Sequence, residues 1–167
     1  MRSTDTDFIL VSLIRFERDI EKNLTWAKRI LLEALVLYPY SKEILFESLR
    51  FYQDEDNLHR YAENAYLYGL RTHSKFIYNE ALATSLLLGK LDLAKMTIDK
   101  LFSLGNVEPR ALYLASDYYI KNNDYKEALK LLIQAHQKIK DNPEDSELAF
   151  SITHKLTELN LTLGDKE

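Results

Sequence analysis

The stretch ALYLASDYYIKNNDYKEALKLLIQA, Ala111 to Ala135, decides the fold. Its apolar residues recur at intervals of three and four, which lines one face of a helix, and not at the interval of two that a strand requires. The run is broken once, at Asn122–Asn123–Asp124, so it reads as two helices and a tight reversal. Asn tolerates the left-handed backbone such a turn needs, and Asp124 with Glu127 three residues on predicts an N-cap and capping box for the second helix. Ala128 and Ala135 are small enough to let two antiparallel helices approach closely, and Leu132 between them fills the groove that remains.

Outward from this pair the same pattern returns three times upstream. Val11, Leu45, Tyr78 and Leu112 stand 34, 33 and 34 residues apart, each as the first core residue of a first helix. Ala27, Ala62, Ala94 and Ala128 follow at 35, 32 and 34, one turn into each second helix. Leu31, Tyr66, Ile98 and Leu132 form the next column, and Ala34, Gly69, Leu101 and Ala135 the one after. A fixed period of this length marks stacked helical units that cannot bury their apolar faces alone. The reversals within the pairs read Lys22–Asn23, Asp56–Asn57, Gly89–Lys90 and Asn123–Asp124. Pro39, the Gly105 to Pro109 stretch and Asn142–Pro143 supply helix stops; Ser41, Asp7 and Thr25 are expected at helix starts. Past Lys140 the period breaks. A last apolar stripe, Leu148, Ile152, Leu156, Leu159 and Leu163, predicts a further helix that closes the stack or opens another repeat of a longer chain.

Composition narrows the classes. The chain has 167 residues, 46% hydrophobic and 29% charged, with four glycines, three prolines and no cysteine. That length buries a sizeable core without metals or disulfides, and the missing cysteines exclude thiolate sites and cysteine nucleophiles. A net charge of −4 offers no field for phosphate backbones, and the basic pairs Lys28–Arg29, Lys121 with Lys126, and Lys138 with Lys140 share no column of the repeat. Nucleic acid is therefore not an expected partner. No apolar run approaches the roughly 20 residues that cross a bilayer. Phe8 to Ile14 lies between acidic and mixed charges unlike a signal peptide, so membrane insertion is not expected and the cytoplasm is the expected compartment.

These columns resemble the tetratricopeptide repeat. Leu112, Ala115, Ser116, Tyr119, Asn123–Asp124–Tyr125, Ala128, Leu132 and Ala135 occupy its consensus slots, with Ala128 and Ala135 as the signature alanines. The first unit matches through Ala27, Leu31, Ala34 and Pro39, with Arg15 where a small residue is usual. The third matches through Tyr78, Ala81, Gly89, Leu91, Ala94 and Ile98, with Leu82 in the small slot; the second slips register by one between Leu49 and Ala62. The resemblance implies an all-α, right-handed α-solenoid of antiparallel helix pairs in one domain. Its repeats are expected at about 8–41, 42–74, 75–108 and 109–142, and a capping helix at about 146–163.

The same resemblance implies a concave groove lined by the first helices, with a protein or peptide partner contacted by Ser12, Phe16, Phe46, Arg50, Asn79, Ala83, Tyr113 and Asp117. Those pairs lack the Lys–Asn and Lys–Arg sets of family members that clamp the carboxy terminus of heat-shock chaperones, so an internal segment or a partner helix is the expected ligand. Tyr38, Tyr40 and Tyr68, which fall outside the core columns, are further interface candidates, since an amphipathic ring suits a half-wet surface. His59, His73, His136 and His154 show no metal-ligand spacing, Asp54–Glu55–Asp56 lacks the glycine and distal glutamate of a calcium loop, and no phosphate loop is present. Neither an enzyme nor a cofactor is expected. The alternative to a peptide groove is an architectural subunit of a larger assembly, or a homo-oligomer, docking by its ends or convex face, because Phe8, Ile9 and Leu13 cannot all face inward on one helix.

Overall fold

The computed structural model describes residues 5–54, 57–141 and 145–164. Among them the regular structure is helical and no strand occurs. The helices are α1 (Asp5–Arg15), α2 (Leu24–Leu37), α3 (Lys42–Asp54), α4 (Leu58–Thr72), α5 (Lys75–Leu87), α6 (Leu91–Ser103), α7 (Pro109–Lys121), α8 (Tyr125–Asp141) and α9 (Ser146–Gly164). A π-helical turn, Phe16–Ile20, continues α1. The chain divides into two compact units, Met1–Ile77 and Tyr78–Glu167.

Within the first unit α1 packs on α2 and α3, α2 on α3, and α3 on α4; within the second, α6 packs on α7, α7 on α8, and α8 on α9. All four sequence columns are buried, from Val11, Leu45, Tyr78 and Leu112 through Ala27, Ala62, Ala94 and Ala128 to the two that follow. The alanines are fully enclosed, as close helix approach requires.

The reversals show why the turn residues stand where they do. Lys22, Gly89 and Asn123 all have positive φ, at 58°, 69° and 61°, and Asp56, their counterpart, lies outside the described residues. The next residue's amide then donates back across the turn: Lys90 to the Ser85 carbonyl at 2.9 Å, Asp124 to Tyr119 at 2.8 Å. This closes the orphan carbonyls of a helix end through a six-to-one bond. In the first pair the same bond runs from Asn23 to Glu17, one residue further, because the helix has widened into its π turn.

Caps follow the sequence in two cases and depart from it in three. Asp124 accepts from the Glu127 amide at 3.2 Å and Ser41 from the Ile44 amide at 3.4 Å. Glu127, however, does not complete a capping box: its carboxylate binds Lys130. Asp7, expected at a helix start, lies inside α1 and is buried. Asn23, not Thr25, caps α2, through its side-chain oxygen and the Trp26 amide at 3.2 Å.

The last stripe packs as its spacing predicts. Leu159 is buried in a cluster with Ala128 and Leu132, and Leu156 and Leu163 pack against it. Asp145 caps this helix through the Leu148 amide at 2.9 Å. Most of the preceding Asp141 to Asp145 insertion, residues 142–144, lies outside the described residues.

Candidate partner-binding surface

In the first unit the first helices meet around a buried carboxylate. Glu47 is an acidic residue on the inward face of α3, flanked by Ile44, Leu45, Ser48 and Leu49, and it is fully enclosed. A charge in such a place must be neutralised and hydrogen-bonded. Arg15 donates its Nε to Oε1 at 2.6 Å, and Arg18 donates Nη1 to Oε2 at 3.1 Å. Arg50, one turn along α3, stands 3.7 Å from Oε1. Arg18 is itself buried, in the π turn; it chelates Asp19 at 2.7 and 3.0 Å and lies 5.7 Å from the centre of the Phe51 ring. Those hydrogen bonds hold the Asp19 carboxyl below the ordinary carboxylate range, against a smaller opposing effect of burial.

Beside this network a cleft of about 230 Å³ opens, lined by Arg15, Lys42, Glu43, Phe46, Ser74, Phe76 and Ile77. Phe46 from α3 and Phe76 from the start of α5 meet edge to face, with ring centres 5.5 Å apart and planes at 61°. Phe46 is half-buried and Phe76 exposed, so the pair presents an aromatic floor. Arg15 keeps about half of its side chain in solvent although it binds Glu47, and Lys42 is exposed. The arrangement offers an apolar seat next to two cations and one carboxylate, Glu43, which accepts a hydrogen bond from Ser41.

The expected groove residues fall into three situations. Ser12 and Phe16 are exposed on or just after α1, and Phe46 and Arg50 are half-buried on α3. In the second unit Asn79 is buried and its side-chain oxygen has no hydrogen-bond partner among the described residues, while Ala83 is half-buried. Tyr113 and Asp117 are engaged within the chain: Lys155 of α9 is hydrogen-bonded to Asp117, and its ammonium lies 4.1 Å from the Tyr113 ring centre.

Two of the extra tyrosines prove to be packing residues. Tyr68 is buried, with its hydroxyl 3.1 Å from the Ser48 hydroxyl, and burial raises its pKa above the usual tyrosine value. Tyr38 packs against the α1–α2 core, and Tyr40 alone of the three is exposed. Sequence reasoning also passed over Glu47, Lys42 and Phe76. A signal existed for Glu47: it is a carboxylate within an apolar stripe, and its partners Arg15 and Arg18 lie 32 and 29 residues upstream, close to one repeat.

Among the described residues no group of three or more His, Asp or Glu could hold a metal, and no helix is long and apolar enough to cross a membrane.

No protein-family model and no curated protein sequence matches the chain. Solved structures do. A chain of the APC/C hetero-tetramer Cut9–Hcn1 superimposes with a TM-score of 0.66 at 12% identity over 94% of this chain, which spans only 30% of that one. MamA from Desulfovibrio magneticus RS-1 gives 0.62 at 14%, covering 96% of this chain and 98% of that one. The Yersinia enterocolitica type III secretion translocator chaperone SycD gives 0.50 at 19%, with 96% of both covered. Identities this low speak to the fold, which is an all-α helical repeat of the solenoid class.

Proposed function

We propose, from the tetratricopeptide-repeat fold of this chain, that it is a protein-interaction module holding a segment of a partner protein on its first-helix face. The observation that carries this reading is the cleft in the first unit, where the Phe46–Phe76 floor adjoins Arg15 and Lys42. An aromatic seat beside cations selects an apolar side chain followed or preceded by a carboxylate, and buried aromatic and Arg anchors dominate affinity at such contacts. Arg50 extends the cationic side of the same face. The resemblance gives Asn79 and Ala83 as the corresponding slots of the second unit. Tyr113 and Asp117, the slots further along the second unit by the same resemblance, are held by Lys155.

The test is calorimetric titration with short peptides that pair a Phe or Leu with Asp or Glu, against peptides of the same apolar content carrying Lys instead. The acidic set binds and the basic set does not. Phe46→Ser with Lys42→Glu then weakens binding at least tenfold, about 1.4 kcal/mol or more, with an unchanged helical circular-dichroism spectrum. Equal affinity of both peptide sets, or an unaffected double variant, contradicts the proposal.

A further inference from the structure

The first helix carries a surface that the cleft does not use. Phe8 is 71% exposed, Ile9 62%, Leu13 41%, Phe16 45% and Ile20 66%. At 3.6 residues per turn, positions 8, 9, 12, 13 and 16 share an arc of roughly 140°. The opposite face, Asp7, Val11 and Ile14, is the one buried against the rest of the unit. Five large side chains at these exposures present on the order of 500 Å² of apolar surface, the size of the largest patch a monomer normally tolerates.

We infer that α1 and its π turn form a self-association surface, on which a second copy of this chain packs α1 against α1 in antiparallel fashion about a two-fold axis near Ser12. The stripe is self-complementary in that orientation. Ser12, the small residue at its middle, allows two helices to cross closely, while the aromatic and aliphatic pairs Phe8–Ile9 and Phe16–Ile20 lie at either end. The two-fold operation lays Ile9 of one copy over Phe16 of the other. An apolar contribution on the order of 500 Å² per copy is more than half of the roughly 800 Å² per partner that a stable interface needs, and flanking polar residues supply the remainder. A head-to-tail contact fits less well. The exposed large apolar residues of α9 are Phe150 and Leu161, eleven positions apart, and a heterologous contact need not close into a dimer. Ser12 and Phe16 then belong to the contact between copies, and Phe46 and Arg50 to the peptide.

The 167-residue chain, measured by sedimentation equilibrium across a range of concentrations, is expected to reach twice its monomer mass of 19.6 kDa. Ile9→Glu with Leu13→Glu, at exposed positions, returns it to the monomer mass. Should that variant lose helicity, Phe8→Lys gives the same reading. Because the chain has no cysteine, Ser12→Cys provides one thiol at the proposed axis, and mild oxidation of the dimer links two chains through it. A wild-type chain that stays monomeric at every concentration overturns the inference, including the case in which α1 serves a helix of another protein. So does a dimer that survives the double glutamate variant, or one in which Ser12→Cys fails to cross-link. Peptide affinity at the Phe46 cleft is read separately, so either proposal can fail without the other.

Discussion

Glu47→Ala lowers the stability of the first unit by about 3–5 kcal/mol, the usual cost of removing one partner of a buried ion pair. The cause is Arg18. Its side chain has only 3% of its surface in solvent and would lose the carboxylate that receives Nη1, while its bonds to Asp19 at the rim remain. Arg15 behaves differently: with half its surface in water it can turn to solvent. Glu47→Gln, which keeps an acceptor oxygen but not the charge, falls between the variant and the wild type. The single tryptophan, Trp26, lies in this unit, so its fluorescence during urea unfolding reports the loss. An unchanged midpoint would show that the arginine network is a surface feature. The network also has a pH signature. Since Asp19 titrates below its ordinary value of about 3.9 in the folded chain, its stabilising contribution is fully present above that value and is lost as pH falls through the lower folded pKa.

The second large effect concerns shape. In the second unit Ala128 and Leu132 are both fully buried in one cluster under α9. Exchanging them, as Ala128→Leu with Leu132→Ala, preserves composition and total side-chain volume. If any apolar filling sufficed, nothing would be lost. The columns require otherwise. Leu132→Ala opens a cavity, costing about 2–5 kcal/mol, and Ala128→Leu pushes a branched side chain into the closest helix approach, adding about 1–3 kcal/mol. The double variant is therefore expected to lose at least as much as the cavity alone, read as a lowered thermal midpoint by circular dichroism. A neutral exchange would mean that Ala128 does not mark a close approach.

These two cases show what the sequence made legible. Ala128 and Leu132 could be read directly because the period repeats them, and a repeated small residue beside a repeated large one has few explanations besides packing. The turns were equally plain, since Gly89 and Asn123 are residues that accept positive φ. What escaped was decided across helices. Tyr68 falls outside the columns and looked like a surface ring; it is buried because Ser48 on the helix packed against it leaves room and offers a hydroxyl. Asp7 has the composition of a cap and the position of a helix interior. The Phe46–Phe76 floor joins residues 30 apart on α3 and α5, and nothing local to either segment announces the contact. Tyr113 and Asp117 stand in groove slots by resemblance, yet the ligand they hold is Lys155 of the same chain.

The claim on which the functional account rests is that a partner segment docks on the first-helix face of residues 1–77, and amide hydrogen exchange on the intact chain with a bound acidic–apolar peptide tests it most directly. The account predicts added protection in α3 around Lys42 to Arg50 and at the start of α5, with α2 and α4 exchanging as they do without peptide. Protection confined to α2 and α4, with α3 unaffected, would contradict it.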